Sequence, residues 1–374
     1  MEWLDGQSLK EAWSPKPVVR SGMRRTTTTL MVATTLLGIV GAGMARGIGV
    51  RATRFPENPL ITLTSSSSLG NNANGPSIIR VPSWVERPLG RYYMYFAHHK
   101  GLFIRLAYAD SLRGPWKIHA PGVLNVEDTA FYRPQPDPAD SPPGAYTHVA
   151  SPEVLVDDRR RRIVLWVHGM WTEGQRWPER RADAAEWLRG HGYGQFTQAA
   201  ESPNGLSFGT RPAITRQSYL RVFRHRGEFY GMARLGQLLK AQDPLERFEL
   251  GDSPFRDSPY AGRVRHVALL ENGDVLHIFF SAIGDAPERI LHTTMNMSSR
   301  WGQWRIGAVS EVLSPQAPYE CVNLPNEPSE IGEIDHPARQ LRDPAVFREG
   351  GRTYLFFTFC GEQGIAAAEV SLAN

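Results

Sequence analysis

The residues best suited to chemistry lie at the starts of short apolar segments. Arg342-Asp343-Pro344 precedes the run Ala345 to Phe347, and a glycine pair at Gly350-Gly351 separates this run from a second aromatic one that begins at Tyr354. A carboxylate at the start of a strand can act as a general base or bind a polar ligand. It can equally cap backbone amides beside the proline, and this structural role remains open.

The same sequence motif, a polar start followed by strand-like apolar runs, recurs in altered form four times upstream. The other units open near Pro76, Ser151, Tyr219 and Val264, and most continue with a second and a third strand-like run. Aromatic residues make up 10% of the chain, with 35 glycines and 28 prolines, whereas helical periodicity is scarce. Three clear strands and a weaker fourth per unit are typical of a propeller blade. We therefore predict an all-β fold, a five-bladed β-propeller.

The ring needs a closing strand because the chain ends directly after the third strand of the fifth unit. An uncovered sheet edge would invite association with other chains. The N-terminal segment Pro59 to Leu63 is placed to supply the missing outer strand. We predict one propeller domain over residues 46–374, with a helical insertion at Glu179 to Arg189 and long loops at Arg133 to Gly144 and Ala308 to Gln340. Long loops in compact domains are often functional.

Residues 1–45 have the pattern of a signal peptide or another N-terminal extension. Met23-Arg24-Arg25 precedes a short apolar run that begins at Leu30, and Gly43-Met44-Ala45 has the small-x-small form of a cleavage site. The apolar run is short for a membrane span. We expect export to the periplasm or the extracellular space, with no stable membrane insertion unless this segment stays uncleaved.

Charge and cysteine content limit the range of partners. The net charge is only +4, and the one basic cluster, Arg159 to Arg162, is typical of a solvated hairpin tip. We therefore expect no nucleic-acid partner, and we expect a monomer. Cys321 and Cys360 can form a disulfide in an exported chain or remain two free buried thiols. No cysteine or histidine cluster has metal-ligand spacing.

The first strand of each blade lines the central channel of a propeller, so residues at the starts of these strands converge at one mouth. The converging polar set comprises Asn74, Ser77, Glu153, Tyr219, Arg221, Arg265, His266, Arg342 and Asp343. Carboxylates, arginines and a histidine meeting in a funnel indicate a polar site, because burying charges without partners is costly. For Glu153, an inward ion pair with a neighbouring arginine is the structural alternative.

These phrases resemble the five-bladed propeller glycosidases of glycoside hydrolase family 43 and its relatives, which act on arabinose- and xylose-containing glycans. The resemblance is carried by Arg342-Asp343-Pro344, Ala150-Ser151-Pro152-Glu153, Gly75-Pro76-Ser77 and the turn Ala109 to Trp116. It implies inverting acid–base hydrolysis of a poly- or oligosaccharide in the funnel. It implies no cofactor except a candidate central ion, or water, held by His266.

The carboxylates of that family are only partly present. Its base usually opens blade one, where this chain has Gly75, and its acid usually opens blade three, where Ser218-Tyr219-Leu220 stands. Glu153 matches the aspartate that tunes the acid. Asp343 is the candidate base of a rebuilt site, and Glu320, in the loop before blade five, is either a third catalytic carboxylate or a plain loop charge.

Three other functions therefore stay open. A non-hydrolytic carbohydrate-binding propeller would explain the lost carboxylates. A phosphorylase would hold phosphate with arginines, which bind such groups through paired hydrogen bonds. A structural propeller would use its inward acids and arginines only to pair with each other.

Substrate-binding candidates complete the prediction. They are Asn74, His98, His99, His168, Arg221, His266 and Arg342. Histidines recur after the second strand of blades one and two, which favours contacts with sugar hydroxyls, although ordinary polar strand ends explain the pattern as well. Trp171 and Trp177 follow blade two and can stack on sugar rings or pack at the rim.

Overall fold

The computed structural model describes residues 49–132, 147–171 and 194–372, which form five antiparallel sheets in chain order. The predicted all-β, five-bladed propeller is confirmed. The predicted leader, the loop Arg133 to Gly144, the helix Glu179 to Arg189 and Trp177 lie outside the described residues. None of the helices in the described part of the chain combines the length and apolar character of a membrane span.

Each of the first four blades is a meander of four strands. Blade one contains β3 (Asn74–Arg80), β4 (Tyr92–Ala97), β5 (Phe103–Ala109) and β6 (Lys117–Asn125). Blade two contains β7 (Ala150–Asp157), β8 (Arg162–Trp171), β9 (Gly194–Ser202) and β10 (Gly209–Arg216). Blade three contains β11 (Arg221–His225), β12 (Glu228–Ala233), β13 (Gln237–Ala241) and β14 (Glu249–Leu250). Blade four contains β15 (Val264–Asn272), β16 (Val275–Ala282), β17 (Ile290–Asn296) and β18 (Ser310–Leu313).

Blade five joins the two ends of the described chain. It contains β19 (Leu341–Glu349), β20 (Arg352–Phe359) and β21 (Gly364–Leu372), with β1 (Val50–Arg54) outermost and β2 (Ile61–Thr62) also on β21. Short 3₁₀ helices cover Leu63–Ser65, Ser67–Leu69, Val126–Asp128, Arg234–Gly236, Trp301–Gln303 and Pro318–Glu320.

The closing strand is the N-terminal one, but it lies upstream of the predicted segment. β1 pairs with β21 from Val50↔Leu372 to Arg54↔Ala368, whereas β2 adds only two residue pairs near the start of β21. Alternate residues of β1 are partly buried, and these include Val50 and Ala52. Small side chains in a five-residue strand give a weak hydrophobic pattern, which explains why the sequence pointed to the more apolar Pro59 to Leu63.

Apolar side chains between neighbouring blades form the core. Phe96 of blade one packs in the same cluster as Phe356 of blade five, and Phe279 of blade four packs with Phe357 of blade five. The loop after blade four is tied to the turn after β20 by a disulfide between Cys321 and Cys360, whose Cα atoms lie 5.1 Å apart. Of the two alternatives for the cysteines, the disulfide is therefore the one present.

Arg221 occupies the axis of the ring and bonds to the backbone of all four other blades. Its Nη2 donates to the carbonyl of Pro76 at 3.1 Å and to that of Pro344 at 3.5 Å. Its Nη1 donates to the Pro152 carbonyl at 2.9 Å, and its Nε donates to the Val267 carbonyl at 3.2 Å. A single guanidinium from blade three thus holds the inner strands of blades one, two, four and five.

Glu153 balances the charge of this arginine. Its Oε2 accepts from Arg221 Nη1 at 2.6 Å and from Ser77 Oγ at 2.9 Å, and the arginine and glutamate side chains are 8% and 17% exposed. Breaking such a pair would leave a charge without its partner. Glu153 and Arg221, predicted as a catalytic and a substrate-binding residue, thus form an ion pair inside the channel, which is the structural alternative for Glu153.

Replacing Arg221 by methionine should destabilise the propeller strongly. The change leaves the Glu153 carboxylate and four carbonyls without their donor, and losing one partner of a buried pair costs about 3–5 kcal/mol. Chemical unfolding measures the loss. The control is Arg226→Met, which removes an ion pair to Asp274 that is 59% and 48% exposed and should cost less than about 1 kcal/mol.

Adding Glu153→Gln to the Arg221→Met variant should restore part of the lost stability, because the uncompensated charge disappears. Equal stability of the Arg221→Met and Arg226→Met variants would contradict the assignment of Arg221 as the central tie.

Candidate active site

The inner strands of four blades begin with the same backbone irregularity. Gly75, Ser151, Tyr219 and Asp343 all have positive φ angles, of 60°, 45°, 58° and 48°. The pairing register shifts just after three of these residues, in β3, β7 and β19. Bulges of this kind re-aim side chains next to sites, and positive φ is unusual for residues other than glycine. The mouth is thus built from residues held in a defined, unfavourable conformation.

Asp343 and His266 meet across blades five and four. Asp343 Oδ1 pairs with His266 Nδ1, and Asp343 Oδ2 accepts from Thr358 Oγ1 at 3.1 Å. Asp343 is 1% exposed and His266 is 7% exposed. Burial opposes the Asp343 carboxylate, but the charge and hydrogen bond of His266 outweigh it and lower the pKa of Asp343. The pKa of His266 is lowered by its burial.

These directions define the protonation of the pair at neutral pH. Asp343 is a carboxylate, and His266 is a neutral imidazole that donates Nδ1–H to it. The lone pair of His266 then resides on Nε2, which has no hydrogen-bond partner among the described residues. A neutral histidine oriented by a carboxylate has the form of a general base.

Tyr219 lies among the histidines of the mouth. Its ring centroid is 4.1 Å from that of His266 and 4.3 Å from that of His168. Its hydroxyl lies 3.2 Å from His99 Nε2. Burial raises the pKa of Tyr219, so the phenol is protonated. Tyr219 is half-buried, whereas all three histidines are buried.

Glu362, in the turn after β20, is the buried anion of the mouth. Its Oε2 accepts from Asn72 at 2.6 Å, from Asn74 at 2.9 Å and from His99 Nδ1 at 3.2 Å, and its Oε1 lies 3.4 Å from Arg342 Nη1. Burial opposes the charge of Glu362, but His99 and Arg342 outweigh it and the pKa of Glu362 is far below its usual range. Burial alone would lower the pKa of His99, and Glu362 raises it above the usual value.

A third buried carboxylate, Glu288, contacts two arginines. Glu288 accepts from Arg265 Nε at 2.8 Å, and its other oxygen lies 3.3 Å from Arg342 Nε. Both arginines also donate to the carbonyl of Gly332, at 3.0 and 3.4 Å. Gly332 belongs to the long loop before blade five, so this loop lies against the arginines of the mouth.

The structure brings six of the ten predicted site residues together. Asn74, His99, His168, His266, Arg342 and Asp343 all belong to the contact network around Tyr219 and Glu362. His168 is 1% exposed, and neither of its ring nitrogens has a hydrogen-bond partner among the described residues. Burial lowers its pKa well below the usual value.

His98 and Glu320 do not join this network. His98 bonds to Asn71 at 2.8 Å and accepts from the Lys100 amide, so it shapes a turn, and burial lowers its pKa to about 4. Glu320 is fully buried against Arg54 of the closing strand, with Nε–Oε1 at 2.6 Å, and it accepts the amide of Ala317 at 2.9 Å. The prediction that Glu320 reaches the mouth is wrong, because its charge is used to fix β1.

Two other predictions concern the rim and a central ion. Trp171 packs against Phe196, with ring centroids 5.2 Å apart, which fits the alternative that Trp171 makes a hydrophobic contact at the rim.

Within the described residues, no three histidine, cysteine or carboxylate side chains are arranged to hold a metal ion. His266 Nδ1 is engaged by Asp343, so Nε2 is the ring nitrogen of His266 that could bind the predicted central ion or water.

The start of blade one has glycine in place of a carboxylate, and the structure leaves no room for a side chain there. A Cβ atom added to Gly75, whose φ is +60°, would lie 3.1 Å from the Cα atom of Ser151. Any side chain at this position would therefore push on the start of blade two.

Three residues of the mouth were not predicted from the sequence: Asn72, Glu288 and Glu362. They lie in turns rather than at strand starts, and only the glycine turn before Glu362 is a sequence signal for one of them.

The comparisons with known proteins identify one relative in sequence and many in fold. No family model matches this sequence. The chain is 33% identical over 341 residues to uncharacterized protein R118 of Acanthamoeba polyphaga mimivirus, an alignment that covers 85% of this chain and 89% of that protein.

Solved structures of similar fold are family 43 glycosidases. The α-L-arabinofuranosidase from Lactobacillus brevis has a TM-score of 0.50 at 11% identity, covering 83% of this chain and 92% of that one. The β-xylosidase/α-arabinofuranosidase CoXyl43 from a compost microbial metagenome gives 0.50 at 11%, covering 86% and 94%. The GH43 protein BlXynB from Bacillus licheniformis has a TM-score of 0.50 at 11% identity. The alignment covers 86% of this chain but only 54% of that one, so this chain spans about half the length of BlXynB. This chain therefore belongs to the family of the mimivirus protein R118, and its fold is the five-bladed β-propeller of the GH43 glycosidases.

Proposed function

We propose that this protein is a glycoside hydrolase that cleaves the O-glycosidic bonds of an oligo- or polysaccharide at the mouth of the propeller. The observation that carries the proposal is the contact of Tyr219 with the Asp343–His266 pair. A neutral imidazole and a protonated phenol meet where five inner strands converge. These are the protonation states that a general base and a proton donor require.

The base is assigned to His266, with Asp343 as the residue that positions it. The oxygen of a water molecule bonds to the anomeric carbon while the bond to the leaving oxygen breaks, and His266 Nε2 takes the proton of the water. Asp343 stabilises the imidazolium that forms. Because the Asp343 carboxylate is engaged through one oxygen by His266 and through the other by Thr358 Oγ1, it acts through the histidine rather than on the water directly.

Unpaired buried polar atoms support a ligand at this place. Asn74 Oδ1, both ring nitrogens of His168 and His266 Nε2 lack hydrogen-bond partners among the described residues. Each unpaired buried group costs about 1–3 kcal/mol. The hydroxyl groups of a sugar would supply both donors and acceptors to them.

The substrate class is proposed from the structural neighbours. Their printed names are those of an α-L-arabinofuranosidase and a β-xylosidase/α-arabinofuranosidase, so arabinose- and xylose-containing glycans are the first substrates to test. We also propose inversion. A retaining mechanism needs a carboxylate as nucleophile, whereas the three buried mouth carboxylates Asp343, Glu288 and Glu362 are all engaged by cationic side chains or imidazoles. Proton NMR of the first-formed anomer distinguishes inversion from retention.

Asp343→Asn and His266→Gln should each lower kcat/KM about 10²-fold or more on aryl arabinofuranosides or xylosides, since each removes general-base assistance. The control is His336→Gln. His336 also pairs with an aspartate, Asp335, but the two side chains are 72% and 68% exposed, so activity should stay at the wild-type level. Undiminished turnover in both mouth variants would overturn the assignment of the base.

A non-hydrolytic glycan-binding propeller is the second candidate. Buried Asp343, Glu288 and Glu362 all have lowered pKa values, so none of the three is a neutral carboxylic acid. Titration calorimetry that detects binding of xylo- or arabino-oligosaccharides, combined with no product from any glycan, would favour this candidate over the hydrolase.

Export is also proposed, from the leader-like residues 1–45 and the Cys321–Cys360 disulfide, since such bonds persist in oxidising compartments. Mass spectrometry of the protein from its native source should find an N-terminus close after Ala45. A chain that keeps residues 1–45 and carries reduced cysteines in the cytosolic fraction would contradict export.

A further inference from the structure

We propose that Tyr219 is the proton donor to the leaving group, and that His99 and Glu362 behind it form a relay that supplies its proton. This inference rests on the proposed hydrolase function and names the acid of that reaction. Tyr219 stands in the opening of blade three, where the resembling family carries its acid and this chain has no carboxylate.

The three groups form one continuous chain of contacts. Glu362 Oε2 lies 3.2 Å from His99 Nδ1, and His99 Nε2 lies 3.2 Å from the Tyr219 hydroxyl. Glu362 is fully buried, His99 is 5% exposed and Tyr219 is half-buried. Tyr219 is therefore the most exposed of the three groups, and Glu362 is the most buried.

The charges fix the direction of the hydrogen bonds. Glu362 is ionised, and its charge raises the pKa of His99 against the opposing effect of burial. A protonated His99 donates Nδ1–H to Glu362 and Nε2–H to the Tyr219 oxygen. The phenolic O–H of Tyr219 is then free to donate to the oxygen of a leaving group.

The proton transfers balance over one turnover. Tyr219 gives its proton to the leaving oxygen as the glycosidic bond breaks, and His99 Nε2–H passes to the phenolate oxygen. The water that attacks the anomeric carbon loses its proton to His266. The cycle leaves His99 neutral and His266 protonated, and exchange with solvent restores both without any further reactant.

The dependence on the leaving group tests the donor directly. Tyr219→Phe keeps the ring between His168 and His266 but removes the proton. For a 4-nitrophenyl glycoside, whose leaving group needs little protonation, kcat/KM should fall less than about 10-fold. For the matched alkyl or unsubstituted phenyl glycoside it should fall about 10²-fold or more.

Tyr319→Phe is the control, since this tyrosine bonds to Asn58 near the closing strand and should leave both substrates unaffected. Equal losses on activated and unactivated glycosides in Tyr219→Phe would overturn the assignment. Absence of turnover by the wild-type protein on every glycoside would instead defeat the hydrolase proposal itself.

The pH profile tests the relay. Activity should rise as His266 loses its proton, below the usual histidine pKa of 6.5, and fall as His99 loses its proton above that value. Glu362→Gln should move the alkaline limb to lower pH and shift the acidic limb less in the same direction, because Glu362 is the main group that raises the pKa of His99 but only a minor one for His266. The charged or titratable groups facing His99 are Glu362, Glu333, Asp343, His98, His168 and Tyr219.

The charged or titratable groups that face the phenol of Tyr219 are Arg234, Arg265, Glu362 and Asp343. His168 and His266 lie against its ring. A purely structural Glu362 would lower kcat without moving either limb. NMR titration of His99 gives a readout independent of turnover: the pKa should lie above 6.5 in the wild type and drop in Glu362→Gln. A His99 that is neutral at pH 6 in the wild type would overturn the relay.

Discussion

The guanidinium of Arg221 is the interaction on which the rest of this propeller depends. Five inner strands that meet at one axis bring backbone carbonyls together in a place with little water, and buried carbonyls require donors. Arg221 supplies them to blades one, two, four and five, and Glu153 keeps the charge balanced. Three of the acceptors, at Pro76, Pro152 and Pro344, directly follow the residues with positive φ, so the tie at the axis and the geometry of the mouth are set together.

The mouth separates its titratable groups by environment. The pKa of one histidine, His266, is lowered beside Asp343, and that of another, His99, is raised beside Glu362, although both are buried and both face a carboxylate. Tyr219 lies between them, in contact with both. Groups of the same type with pKa values pushed in opposite directions are the arrangement from which acid and base roles arise. The carboxylates set these states and are themselves hidden from the channel.

The fold and about half of the mouth could be predicted from the sequence, for one physical reason. The repeated strand-start phrase encodes both the blade and the position that faces the axis, so Asp343, His266, Asn74 and Arg342 were found together. Glu362 and Glu288 were missed because they come from turns whose path no periodicity reports. Glu320 was misplaced because its partner Arg54 lies in β1, a strand too small and polar to predict. The role of Glu153 stayed open because the sequence pattern of an inward carboxylate is the same for a catalytic residue and for a counter-ion.

The proposed reaction requires that a sugar bind over Tyr219 at the mouth, with its reacting bond between the two histidines His266 and His99. The most direct measurement is a crystal structure of the Asp343→Asn variant with a bound xylo- or arabino-oligosaccharide. The expected density places the glycosidic oxygen within hydrogen-bond distance of the Tyr219 hydroxyl and the anomeric carbon towards His266. A sugar bound instead in the cavity of about 420 Å³ that His277 and Arg348 line between blades four and five, with the mouth empty, would contradict the account.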